Sequence, residues 1–116
     1  MTARVLPPTP ESLARAADIL RIGGLVAMPT ETVYGLACDG TNADAVACLY
    51  EAKGRPSFNP LIAHVASQAM AEREAVFSPL ARKTAEHFWP GPLTLVLPVA
   101  KTGQVCALAR AGLATI

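Results

Sequence analysis

Leu25-Val26-Ala27-Met28-Pro29-Thr30-Glu31-Thr32-Val33-Tyr34-Gly35-Leu36 is the stretch whose reading decides the fold. Residues 25–28 are a short apolar run bounded by glycine and proline, which predicts a buried strand. Two hydroxyls and a carboxylate follow directly, where open α/β sheets bind ligands beyond the ends of their strands. By local pattern alone, the same residues also read as a hydroxyl-rich turn that satisfies its own backbone.

Upstream, Thr9-Pro10-Glu11 has the form of a helix start: a hydroxyl cap, a proline where no N–H is missed, and an acid near the positive end of the dipole. Leu13, Ala16, Ala17 and Leu20 mark one apolar face, and Gly23-Gly24 stops the helix. Downstream, residues 30–42 are largely polar. Asn42 can cap a second helix, with Val46, Leu49, Tyr50 and Lys53 at i, i+3, i+4 and i+7, so Lys53 is expected on the buried side.

Gly54 ends that helix, residues 55–60 cross over, and Leu61-Ile62-Ala63-His64-Val65 reads as the next strand. Ser67 and Ser78-Pro79 open helices over residues 68–74 and 79–88. Phe88-Trp89-Pro90-Gly91-Pro92 makes a stiff corner into Leu93-Thr94-Leu95-Val96-Leu97-Pro98, a further strand. Strands that alternate with helices predict an α/β sheet packed by helices. Residues 113–116 look like the start of another strand, so the chain is expected to end within an element.

The 116 residues are 52% hydrophobic and 16% charged, the make-up of a globular chain and not of a disordered one. One domain is the ceiling at this length, burying about two-thirds of its unfolded surface. A net charge of +1 excludes a polycation that binds nucleic acid through counterion release alone. Charge is uneven, however: no Asp or Glu occurs over residues 53–71 or 87–116, which suits an anionic ligand. Three cysteines, Cys38, Cys48 and Cys106, without C-x-x-C pairing indicate neither a disulfide framework nor a zinc site, and suggest a reducing cytoplasm. No apolar run is long enough for a signal peptide or a membrane span, so a soluble protein is expected.

Lys53-Gly54-Arg55-Pro56-Ser57-Phe58-Asn59-Pro60 flanks a glycine with two cations and fixes the following loop with two prolines. A mobile ammonium and a guanidinium fork could together hold a triphosphate. The plainer reading is that Lys53 complements its helix C-terminus and Arg55 is solvated. Neither a Walker A sequence nor G-x-G-x-x-G is present, so a bound ATP needs another cradle. His64 within an apolar strand reads more readily as a satisfied core residue than as a ligand or base, and His87 more so. Zinc peptidase, serine hydrolase and glycosidase patterns are missing from the sequence. Trp89 reads as a core anchor, since aromatic residues are 5% of the chain and do not interleave with basic ones.

Three segments in this order, Pro29-Thr30-Glu31-Thr32-Val33-Tyr34-Gly35-Leu36, Lys53-Gly54-Arg55-Pro56 with Asn59-Pro60-Leu61, and Phe88-Trp89-Pro90-Gly91-Pro92-Leu93-Thr94, closely resemble the YrdC-like family of threonylcarbamoyl-AMP synthases. The similarity runs from about Pro10 to Ile116. It implies a YrdC/RibB-like fold, a twisted mixed sheet with flanking helices, around a large positively charged cavity. It also implies the reaction of L-threonine, bicarbonate and ATP to threonylcarbamoyl-AMP and pyrophosphate, for N6-threonylcarbamoyladenosine at position 37 of tRNA. By the same resemblance, Thr32 and His64 fall where the family contacts threonine. Lys53, Arg55 and Asn59 fall where it contacts ATP, with Thr115 a further nucleotide contact and Mg²⁺ accompanying the ATP. Lys53 and Arg55 are the candidate catalytic residues; no resident metal site is implied. Partners would be tRNA and the threonylcarbamoyl-transfer machinery, in the cytoplasm and without a membrane.

Family members continue with a strand bearing an arginine and a Ser-Asn loop that close the same cavity. The chain is therefore expected to be a single YrdC-like domain, residues 1–116, truncated at its C-terminal side, and to turn over poorly by itself. Two other readings are an RNA-binding module for double-stranded RNA and translation, and the YrdC-like part of a larger carbamoyltransferase.

Overall fold

A computed structural model describes residues 2–116. Its elements run α1 (Pro10–Arg21), β1 (Val26–Met28), β2 (Gly35–Ala37), α2 (Ala43–Lys53), α3 (Gln68–Glu74) and α4 (Pro79–Phe88). Each helix starts at a side-chain cap: Thr9 accepts from the Ser12 N–H, Asn42 from Asp44 and Ala45, Ser67 from Met70, and Ser78 from Ala81. These bonds satisfy amide groups that have no partner inside the helix. Gly54, at φ 60°, ends α2 in the left-handed conformation that glycine reaches without a Cβ penalty.

The sheet is smaller than the sequence predicts. β1 and β2 pair antiparallel, Val26 with Ala37, Ala27 with Leu36 and Met28 with Gly35, as a hairpin around the threonine turn. β2 lies inside the stretch expected to be polar; Gly35-Leu36-Ala37-Cys38, apolar and one turn after β1, was the available signal. The mixed sheet with strands over residues 61–65 and 93–98 is not formed. Residues 61–65 form no bridge, and of residues 93–98 only Pro98 does, antiparallel with Thr115; a second isolated bridge joins Ala75 and Val99.

The physical reason is pairing. Burial along residues 93–99 alternates strictly, odd positions half-buried and even positions exposed, which is the period of a strand. A strand also needs a neighbour for its amides, and among the described residues neither 62–66 nor 93–96 has a backbone partner. Pairing begins only at Leu97, which exchanges bonds with Ile116 at 3.0 and 2.9 Å, and continues with the Val99 N–H to Ala114 O at 3.0 Å.

The core is built on α2. Val46, Tyr50 and Ala109 are buried together, with Cys38, Leu61, Val105, Cys106 and Leu108 packed around them. Lys53 departs from the buried-side expectation. The buried residues of α2 are Ala45, Val46, Leu49 and Tyr50, and by the last turn the stripe has left the core, so Lys53 is exposed. The apolar face of α1 is likewise only partly covered, with Leu13 exposed.

Candidate active site

Thr30 organises the turn after β1. Its Oγ1 accepts from the Thr32 N–H at 3.2 Å and donates to the Val33 carbonyl. The turn-forming hydroxyl is thus Thr30, whereas Thr32 and Glu31 stand exposed at the tip. The turn reading is the one observed: Thr30 satisfies the backbone, and Thr32 is exposed beside it.

The loop after α2 is held from inside. The Tyr50 hydroxyl donates to Asn59 O at 2.7 Å, the Arg55 N–H bonds Tyr50 O at 3.1 Å, and the Asn59 N–H bonds Pro56 O at 3.1 Å. Arg55 is half-buried and spends part of its fork on the loop itself, Nη2 donating to Pro60 O at 3.1 Å and Nε to Asn59 O at 3.5 Å. Lys53 makes no hydrogen bond or ion pair with the described residues, so its ammonium is free for a ligand.

A cleft of about 890 Å³ lies between the two unpaired segments. His64 and Thr115 both line it, together with Glu31, Trp89 and Pro60. His64 is exposed, not a core residue, and its Nδ1 lies 3.1 Å from Ile62 O. Trp89 donates from Nε1 to Leu93 O at 2.9 Å and meets Phe77 edge-on at 6.3 Å; it is half-buried on the cleft wall and stands outside the core cluster where it was expected. Lys53, Arg55, Asn59 and Thr32 are not on the lining. The Lys53–Pro60 loop reaches the cleft only at Pro60, and on its other side Ser57 and Phe58 border a shallow depression of about 450 Å³.

This arrangement corrects the expectation of a strongly positive cavity. The charged side chains on the lining are Glu31, Glu74, Glu86 and Arg110, with His64 beside them, and most of the wall is apolar. The two cations of the loop lie outside it because α2 ends at the protein surface. Among the described residues, no group of three or more His, Cys, Asp or Glu side chains could hold a metal ion, and no helix is long and apolar enough to cross a membrane.

Sequence reasoning missed two participants. Tyr50 was read only as part of an apolar stripe, although a buried tyrosine needs a partner for its hydroxyl and so signals a nearby backbone acceptor. Glu74 accepts from the N–H groups of Gln104 and Val105 at 2.8 and 3.0 Å, tying the 100–105 loop to α3 beside the cleft; no local pattern announces that pairing.

Residues 18–116 match the family model described as "Telomere recombination", Sua5_yciO_yrdC. The threonylcarbamoyl-AMP synthase of Bacillus subtilis is 49% identical over 105 residues, which is 90% of this chain and 30% of that protein. The synthase of Pyrococcus abyssi is 50% identical over 102 residues, 87% of this chain and 29% of that one. The crystal structure of P. abyssi Sua5 complexed with L-threonine superimposes with a TM-score of 0.84 at 47% identity, over 91% of this chain and 31% of that chain. The chain thus spans about a third of the length of these relatives. Nearly half of the aligned residues are shared and the backbone follows the solved one, so the chain belongs to the Sua5–YciO–YrdC family.

Proposed function

We propose that this chain carries a substrate-binding part of a threonylcarbamoyl-AMP synthase, the activity that makes the intermediate for N6-threonylcarbamoyladenosine in tRNA. The observation that supports it most is a convergence. His64 and Thr115, distant in sequence, line one cleft, and the loop bearing Lys53, Arg55 and Asn59 meets that cleft at Pro60. The names of the relatives, and the threonine bound to one of them, point the same way.

In this reading the threonine amine captures carbon dioxide, derived from bicarbonate, as a carbamate. One carbamate oxygen then attacks the α-phosphorus of ATP and pyrophosphate leaves. Both reactants are anions, so the work falls on positioning and charge neutralisation. Lys53, exposed and unpaired, supplies a mobile charge to the phosphates. Arg55, its fork partly committed to Pro60 and Asn59, presents the remaining N–H groups from a fixed frame. Mg²⁺ comes with the triphosphate as part of the substrate. Thr32 and His64 orient threonine, and no strong general base is required.

Calorimetric titration of ATP–Mg²⁺ and of L-threonine tests the assignment. Lys53→Ala should weaken ATP by about tenfold, worth roughly 1.4 kcal/mol, and leave threonine untouched; His64→Ala should do the reverse. Loss of both ligands in either variant, or of neither, would refute the division of roles.

A further inference from the structure

One donor in the cleft wall has no partner. Arg110 lines the cleft, and its Nε is buried yet bonded to none of the described residues. Buried donors are nearly always satisfied, so an orphan of this kind marks a place where a partner belongs. Here the orphan is part of a cation, whose unmet demand exceeds that of a neutral N–H.

The local turn fixes the guanidinium. Ala111 and Gly112 both have positive φ, 53° and 71°, and turn the chain back so that the Leu113 N–H bonds Arg110 O at 3.0 Å. Arg110 Nη1 in turn donates to Leu113 O. With Nη1 spent there, Nε and Nη2 remain, the edge of a guanidinium that grips a carboxylate at two points. Arg82 uses the same two nitrogens on Glu72, at 2.9 and 3.0 Å. Arg110 has that edge and forms no ion pair among the described residues.

Charge on the wall singles out the same residue. The acidic groups lining the cleft are Glu31, Glu74 and Glu86, with Glu74 already engaged by the N–H groups of Gln104 and Val105. Arg110 is the one Lys or Arg among the lining residues, and a guanidinium stays charged at any working pH. His64, the expected threonine contact, shares this lining, whereas Lys53, Arg55 and Asn59, the expected ATP contacts, stand off it. The anion that belongs beside Arg110 is then the carboxylate of the amino acid and not a phosphate.

We propose that Arg110 is a binding residue of the cleft that selects for the free α-carboxylate of the amino-acid substrate, taking it on Nη2 and, as the covering wall gives slightly, on Nε. This deepens the synthase reading and rests on it. Calorimetric titration of L-threonine, L-threoninamide and ATP–Mg²⁺ into the wild-type chain and into Arg110→Met tests it. The wild type should bind L-threonine about tenfold or more tightly than the amide, which lacks the carboxylate. Arg110→Met should weaken threonine to the level of the amide, with the amide and ATP–Mg²⁺ unchanged; a merely structural role would weaken all three. Threonine and its amide bound equally by the wild type would overturn the proposal whatever the variant does, as would threonine bound equally by wild type and variant, and in both cases the synthase reading stands. A wild type that binds neither threonine nor ATP–Mg²⁺ would remove that reading and the role of Arg110 with it.

Discussion

The hydroxyl of Tyr50 donates to the backbone carbonyl of Asn59 at 2.7 Å, and the same carbonyl faces Arg55 Nε at 3.5 Å. One buried side chain thus fixes the loop on which the candidate ATP contacts sit. Tyr50 is 6% exposed and packs against Val46 and Ala109, so the ring belongs to the core and its oxygen to the site. Tyr50→Phe keeps the packing and removes the bond. It should cost about 1 kcal/mol, lower the melting temperature by about 4 °C, and speed hydrogen exchange in residues 55–60. An unchanged melt and unchanged exchange would mean that the loop is held some other way.

Glu72 and Arg82 brace α3 against α4 by a two-point contact, Nε to Oε1 at 2.9 Å and Nη2 to Oε2 at 3.0 Å. The Arg82 hydrogen bonds, then the one from Gln68, hold the Glu72 carboxyl down to about 2. Its folded value lies below the ordinary carboxylate value of 4.5, so its contribution is present above that value and lost as pH falls toward about 2. Thermal melts of the wild type and of Glu72→Gln should therefore differ at pH 6 and converge at pH 2. A difference that persists unchanged at pH 2 would exclude the ion pair as its source. Because the pair is exposed, added salt should also reduce it.

Thiol chemistry should separate the three cysteines. Cys48 is exposed on α2, whereas Cys38 and Cys106 are half-buried beside the core. Burial first, then the neighbouring Cys106 and Asp39, push the Cys38 thiol above its usual value, which lowers its thiolate fraction at neutral pH. A disulfide reagent should titrate one thiol quickly and the others slowly, and Cys48→Ser should abolish the fast phase. A fast phase that survives this substitution would contradict the burial pattern.

Ala111 has φ 53°, the left-handed region that residues with a Cβ occupy at a cost. It sits in a run of turns in which the Ala111 N–H bonds Leu108 O at 3.1 Å and the Gly112 N–H bonds Ala107 O at 2.9 Å. Ala111→Gly should relieve the strain and raise stability by roughly 0.5–1 kcal/mol in a denaturant titration. A fall in stability would show that unfolded-state entropy outweighs it.

What the sequence made legible was local. The four caps, Gly54 at the end of α2 and the corner at Trp89 were each readable because their signals lie within a few residues of the feature. The three short motifs sufficed for the family. What was not legible depends on distant neighbours. Residues 61–65 and 93–98 have strand composition, and whether such segments become strands is decided by partners that composition does not reveal. Lys53 was misplaced because a helical period continues on paper beyond the point where the helix leaves its core. Thr30 and Thr32 could not be told apart without the geometry of the turn.

Threonine-dependent pyrophosphate release from ATP in the presence of bicarbonate tests the central claim most directly, with the wild-type chain beside Lys53→Ala and Arg55→Ala. The reading predicts slow release that requires threonine and bicarbonate and is lost in both variants, while their melts stay within about 1 °C of the wild type for Lys53, which is exposed and unpaired. Release that is indifferent to threonine, or that survives removal of both cations, would contradict it.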